Sequence, residues 1–273
     1  MRPADNYVFN FSGGRSSAYM TIEGLKQEEY HDAIISFQNT GKEDPRTLDF
    51  VHQVDEYLGG NRIVWLEYIP VKPYYKIVTY ETASRNGEPF EALINNRKVL
   101  PNRVARFCTA ELKVRACKNY LQKSIGWKHW TALVGIRYDE PRRWSKSKDV
   151  ANKECFEVEH PLVKWRVDKP FVLEYWKHMP FNLELQEWEG NCDICFLKGK
   201  KKKLTIARLH PERFDWWVKQ EQNNFNKGKG GRFCNDYTYE ALLNKVLTQP
   251  ELFPEEFIES LIDDSIDCFC NAD

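Results

Sequence analysis

The chain has 273 residues, with 40 Lys and Arg balanced by 40 Asp and Glu. That length can bury one large core, or a core with an appendage, and the zero net charge excludes a global field that would draw a polyanion or an anionic membrane. No apolar stretch reaches the length of a signal core or a bilayer span, so a cytoplasmic protein without a membrane segment is expected, and in a reducing compartment eight cysteines point to metal ligation or thiol chemistry rather than a disulfide framework.

Tyr7 to Phe11 predicts a buried strand, and Ser12-Gly13-Gly14-Arg15-Ser16-Ser17 a turn that releases the backbone from the β region and enters a helix running to about Tyr30. Backbone N–H groups converge in such a turn. With the positive end of the helix dipole they suit an anion such as a phosphate. Ala33 to Phe37 predicts a second strand ending in Gln38-Asn39-Thr40-Gly41, and Pro45 opens a helix with apolar Leu48, Val51, Val54, Tyr57 and Leu58, stopped by Gly59-Gly60. Ile63 to Tyr68 predicts a third strand. Strands alternating with helices imply a parallel sheet with right-handed crossovers, whose ligands sit off the carboxyl ends of the strands, where both the glycine turn and Asn39-Thr40-Gly41 fall.

Residues from about Pro70 to Ala105 lack a clear period and read as a long connection covering the site. Cys108 precedes a helical segment through about Ser124, and Trp130 to Ile136 predicts another buried strand that delivers Arg137 to the same sheet edge, with Arg142 and Arg143 after Asp139-Glu140-Pro141. Pro170 opens a short helix through Trp176. Past a boundary near Pro180 the composition turns to short helices and polar connectors, dividing the chain into an α/β domain, 1–180, and a helical, cysteine-containing region, 181–273.

Cys192 and Cys195 form a C-x-x-C pair, half of a metal site, with Cys108, Cys117, Cys155, Cys234, Cys268 and Cys270 as candidate partners. Cys117 reads as a packing residue within a helix. Four thiolates suit zinc or an iron–sulfur cluster, and the pair alone could be a redox-active dithiol. Arg137, Arg142 and Arg143 suit a bidentate grip on phosphate or sulfate oxygens, or a solvated loop with surface ion pairs. Lys198 to Lys203 reads as a nucleic-acid phosphate contact or a solvated helix start.

Phe11-Ser12-Gly13-Gly14-Arg15-Ser16-Ser17 resembles the PP-loop of the adenine nucleotide alpha hydrolase superfamily. Four further blocks resemble its phosphoadenosine phosphosulfate (PAPS) reductase branch, in the phage and bacterial cluster-binding form. They are Asn39-Thr40-Gly41 with Thr47 and Phe50; Phe107-Cys108-Thr109 with Lys113; Gly135-Ile136-Arg137 with Asp139 to Arg143; and Gly190-Asn191-Cys192-Asp193-Ile194-Cys195.

The resemblance implies a Rossmann-like (HUP-type) α/β fold, its parallel sheet carrying the PP-loop, followed by a small, mostly helical C-terminal region. It implies an adenine nucleotide, PAPS, APS or ATP (the last with Mg2+), with phosphates held by Ser12 to Ser17, Gly135, Arg137, Arg142 and Arg143, and adenine near Phe37, Asn39, Thr40 and Gly41. It further implies a 4Fe-4S cluster on Cys108, Cys192, Cys195 and Cys268 or Cys270, with zinc as the alternative. With Cys268 as the fourth ligand, Cys270 is the attacking thiolate, and Lys113 and Arg137 assist. The implied activity is sulfonucleotide reduction with a thiol electron donor such as thioredoxin. The alternatives are an ATP pyrophosphatase that adenylates a substrate for sulfur transfer from a sulfur donor, to tRNA or DNA, and a zinc-stabilised nucleotide-binding sensor module; an oligomer is compatible with each. Two departures from the family pattern are Phe107, where cluster-bearing reductases have an adjacent cysteine, and the absence of their terminal Glu-Cys-Gly.

Overall fold

A computed structural model describes residues 6–151, 155–186, 188–226 and 231–249. Six strands form one sheet: β1 (Tyr7–Phe11), β2 (Ile34–Asn39), β3 (Ile63–Glu67), β4 (Lys76–Val78), β5 (Trp130–Val134) and β6 (Phe156–Glu159). Their order is β4-β3-β2-β1-β5-β6. Every pairing is parallel except β3 with the short edge strand β4. The chain leaves β1 toward β2 on one side and returns to β5 on the other, so the switch point, where such sheets bind ligands, lies between the carboxyl ends of β1 and β5.

Alternation along the strands divides the packing. Phe9, Phe11, Ile35, Phe37 and Trp65 face α1 (Arg15–Gly24) and α2 (Pro45–Tyr57), where Ala18, Met20, Leu48, Val51 and Val54 complete a core joined by Trp176 of a later helix. Val8, Leu66, Trp130 and Ala132 point the other way, onto a helix, α4, that carries Ala116, Cys117, Tyr120 and Leu121. Between them in sequence lies α3 (Glu88–Arg97), inside the stretch that has no readable period. The winding of α4 is unusual: Thr109–Arg115 and Leu121–Ile125 are π-helical on either side of the α-helical Ala116–Tyr120. Wide π turns often mark functional positions.

After α5 (Pro141–Ala151), α6 (Pro161–Lys164) and α7 (Lys169–Lys177), the carboxyl-terminal region supplies α8 (Lys200–Leu209), α9 (Phe214–Asn226) and α10 (Tyr239–Thr248). These helices share a core with Tyr68, Phe90, Leu93, Ile94, Leu100 and Leu112. The helical region is therefore built onto the α3–α4 side of the α/β unit. The fold is Rossmann-like α/β with a helical C-terminal region, as expected. Helix α1 stops at Gly24, short of Tyr30, and β6 was not anticipated. Among the described residues no helix is long and apolar enough to cross a membrane.

Candidate functional site

The turn after β1 is fixed by its own side chains. Ser17 Oγ donates to the Gly14 carbonyl (2.9 Å) and accepts from the Ser12 N–H (3.2 Å), with the Ser12 hydroxyl 2.9 Å away. Gly13 sits at φ +77°, and a Cβ there would lie 2.6 Å from Thr47 Cγ2, so both backbone and space require glycine. Gly14 caps α1 in extended backbone with no side-chain cap hydrogen bond. The first-turn N–H groups of α1 therefore lie at the open end of the switch point, where helix ends bind anions.

Around this turn the residues divide by role. Arg137, on the segment leaving β5, donates from Nη1 to Ser16 Oγ (3.3 Å) and from Nε to Asp139 Oδ1 (3.0 Å), with Glu140 Oε1 3.7 Å from Nη2. Arg143 pairs with the same buried Glu140 carboxylate. Arg142 is exposed on the first turn of α5. Gly135 lets β5 run close under α1, since a Cβ there would lie 2.9 Å from Ser17 Cα. Arg15 turns away and donates to Asn182 Oδ1 (2.8 Å) and the Leu183 carbonyl, which leaves its backbone, rather than its guanidinium, at the turn.

Two residues expected beside adenine are enclosed. Phe37 is 1% exposed and packs edge-on against Trp65 (4.8 Å between ring centroids), so it offers no open face to a base. Asn39 donates to Glu67 Oε1 (2.7 Å) and the Ser84 carbonyl (2.8 Å) and accepts from the Gly41 N–H (3.0 Å). It shapes the Asn39-Thr40-Gly41 corner from within.

Cys108, at the start of α4, lines one pocket with Cys192 and Cys195. Thr40, Lys42, Thr109 and Lys113 join them, along with apolar walls from Phe90, Leu112 and Trp217. Its space is about 420 Å3, the open mouth included. The C-x-x-C segment reaches this pocket by pairing with the loop after β2: Cys192 bridges Glu43 in antiparallel fashion, the Asp44 N–H donates to the Asn191 carbonyl (2.8 Å) and the Asp193 N–H to the Lys42 carbonyl (2.9 Å). Lys42 Nζ pairs with Asp193 Oδ2 at 2.7 Å. Asn191 then reaches the glycine turn, its Nδ2 donating to the Ser12 carbonyl at 2.7 Å. The glycine turn and the segment that carries two of the pocket thiols are thus joined through Asn191.

Ion pairs clamp the same junction. Arg46 grips Asp44 through Nε (2.9 Å) and Nη2 (2.8 Å), Arg213 Nη1 lies 2.9 Å from Asp44 Oδ2, and both guanidiniums reach Glu189. Burial alone would raise the Asp44 carboxyl, but the Arg46 hydrogen bond and the Arg213 charge outweigh it and hold it below the ordinary range. Glu43, buried against Thr40 and 3.9 Å from Cys192 Sγ, goes the other way: burial raises its carboxyl, opposed by the Lys113 charge.

The other described cysteines do not line the pocket. Cys117 is buried in α4 with Ser36 Oγ donating to it (3.4 Å), and burial pushes its thiol up to about 11, which suits packing. Cys155 lies 3.4 Å from Gln122 Nε2, on the sheet face covered by α4. Cys234 is buried beside Lys203. Cys268 and Cys270 lie outside the described residues. Among the described residues no group of three or more His, Cys, Asp and Glu is arranged to hold a metal ion.

The lysine run is solvated only in part, at the start of α8. Lys198 is buried and donates to the Cys192 carbonyl at 2.9 Å, Lys202 and Lys203 are also buried, and only Lys200 and Lys201 are exposed. The Lys198 and Lys203 ammonium groups satisfy the Cys192 and Phe196 carbonyls. Lys42 and Glu43 adjoin the Asn39-Thr40-Gly41 block and Asn191 lies within the Cys192 block, but the sequence assigns none of the three a role.

The fold and the switch-point site define a Rossmann-like α/β protein. No family model matches the chain, and no solved structure matches it. Over 215 residues it is 28% identical to the "Uncharacterized nin region protein ORF290" of Escherichia phage lambda, a stretch covering 71% of this chain and 67% of that protein.

Proposed function

We propose that the chain is an adenine nucleotide-binding enzyme of sulfur chemistry, a PAPS or APS reductase-like protein. The observation that carries this reading is the Asn191 hydrogen bond to Ser12, which joins an anion-suited glycine turn to a pocket lined by three thiols. The phosphates would lie on the first turn of α1 between Ser16 and Arg137. The sulfonyl end would point toward Lys113 and the thiols.

Cysteine thiolates are the soft donors that a 4Fe-4S cluster or zinc takes, and the three here line one pocket without being arranged as a metal site among the described residues. Cys108, Cys192 and Cys195 would hold it, with Cys268 or Cys270 as the fourth ligand. When bound, the group would tie the three pocket thiols and the tail cysteine together beside the nucleotide. The chain's own part is to orient and neutralise: Arg137 at the phosphates and Lys113 at the sulfonyl oxygens. A tail thiolate, Cys270 by resemblance, would attack sulfur, the S–O bond to phosphate would break, and the electron pair would leave with the nucleotide. A donor thiol would then attack the Cys270 sulfur, sulfite would leave as the S–S bond to it breaks, and a second thiol would reduce the resulting mixed disulfide.

Anaerobic incubation with PAPS, APS or ATP, following sulfite and pyrophosphate together, tests the reading. Sulfite from a sulfonucleotide without pyrophosphate is expected. Pyrophosphate released from ATP overturns reduction in favour of adenylation for sulfur transfer.

A further inference from the structure

Lys203 carries an amine into the buried interior of the helical region. It is 0% exposed, and Nζ donates to the Phe196 carbonyl (2.9 Å), to Tyr237 Oη (3.2 Å) and to Cys234 Sγ (3.2 Å). The rings of Tyr237 and Tyr239 lie 5.5 and 5.6 Å from it. Among the described residues no carboxylate comes within ion-pair distance. The nearby Glu221 spends its oxygens on the Phe233 and Tyr239 N–H groups, at 3.0 and 2.7 Å.

Burial penalises the ammonium and lowers the Lys203 pKa, against the opposing pull of Cys234. A neutral amine, a nucleophile, is thus easier to reach here than on the surface. Its nearest reactive neighbour is a sulfur, held in line by two packed elements: α8 carries Lys203, and the segment before α10 carries Cys234. Cys234 is buried, 8% exposed, so an oxidant that reaches it must be small.

We propose that Lys203 and Cys234 are an oxidative modification site, at which a hydroperoxide leads to a covalent S–N bond between them. In the first step the Cys234 sulfur attacks the peroxide, the O–O bond breaks, sulfur is oxidised by two electrons to the sulfenic acid, and the peroxide is reduced, with hydrogen peroxide giving water. In the second, the Lys203 nitrogen lone pair attacks sulfur and hydroxide leaves with a proton from nitrogen as water. The product is a sulfenamide. Two equivalents of thiol reverse it, regenerating cysteine and lysine as the thiols form a disulfide. The bond would tie α8 to the segment bearing Phe233, which packs on Trp217, a wall of the thiol pocket. It does not rest on the nucleotide reading.

The test is peptide mass spectrometry of the reduced full-length chain after hydrogen peroxide, digested without reductant by a protease that does not cleave at lysine. The expected product is a Lys203 peptide joined to a Cys234 peptide, two hydrogens lighter than their sum, and separated again by dithiothreitol. In Lys203→Arg the joined species should vanish and Cys234 should progress to sulfinic acid. Recovery of Cys234 from the wild type as sulfinic acid, as a disulfide or unmodified, with the Lys203 peptide unaltered, overturns the proposal whether or not the variant folds.

Discussion

The Asn191 amide meets the Ser12 carbonyl at 2.7 Å across 179 residues of chain. One side chain thereby transmits the position of the C-x-x-C turn to the turn that opens α1. A partly buried hydrogen bond of this kind is worth about 1 kcal/mol.

Asn191→Ala should therefore weaken nucleotide binding roughly five- to tenfold while lowering thermal stability only slightly. Titration calorimetry with an adenine nucleotide, beside a melting curve, checks both. A large loss of stability with unchanged affinity would mean that Asn191 serves the fold alone.

Gly13→Ala places a Cβ 2.6 Å from Thr47 Cγ2 at a φ of +77°. The combined strain and overpacking should cost about 2–4 kcal/mol. The turn should relieve it by shifting, so nucleotide binding is expected to fail even where the variant folds. Urea denaturation and the same titration measure the two effects.

Acid should loosen the junction through Asp44. Its folded pKa is depressed, so its stabilisation is fully present above the ordinary Asp value of about 4 and disappears as pH falls through the folded value. Asp44→Asn should cost about 2–3 kcal/mol at pH 7, a figure kept low because Arg46 is a third exposed. The difference from wild type should shrink below about pH 4. Glu221 has the opposite sign: burial raises its carboxyl, so its contribution is present below the ordinary Glu value and is lost as pH climbs through the raised one. Urea midpoints at several pH values for wild type, Asp44→Asn and Glu221→Gln separate the two.

Cys117, its thiol pushed up to about 11 by burial, should resist iodoacetamide in the native protein at pH 8 and react once the chain is unfolded. Mass spectrometry after timed alkylation reads this directly. Rapid native labelling at Cys117 would contradict its place in the core under α4.

Much of the sheet is legible because β1, β2, β3 and β5 are short, mostly apolar runs bounded by glycines or polar turns, close to the pattern of strands buried on both faces. The stretch from Pro70 to Ala105 was not. Strand β4 has three residues on an antiparallel edge, and α3 starts and ends at residues of positive φ, Gly87 and Lys98, so neither carries a long period. Strand β6 is too short to announce itself, and the π turns of α4 depart from helical spacing. Of the site, the glycine turn and the gathering of Cys108 with the C-x-x-C pair followed from motifs. The enclosure of Phe37 and the burial of Lys198, Lys202 and Lys203 did not, because a charge run gives no sign of which ammonium groups will find carbonyls.

The bridge between Glu43 and Cys192 also sets a timetable for synthesis. On a ribosome the glycine turn, β2 and the Asn39-Thr40-Gly41 corner emerge well over a hundred residues before the strand that closes their pocket. Until Cys192 arrives, the Lys42 to Asp44 backbone groups that will pair with it face solvent, and Cys108 waits without its companions. A group bound by all three thiols could be loaded only once translation has passed Cys195.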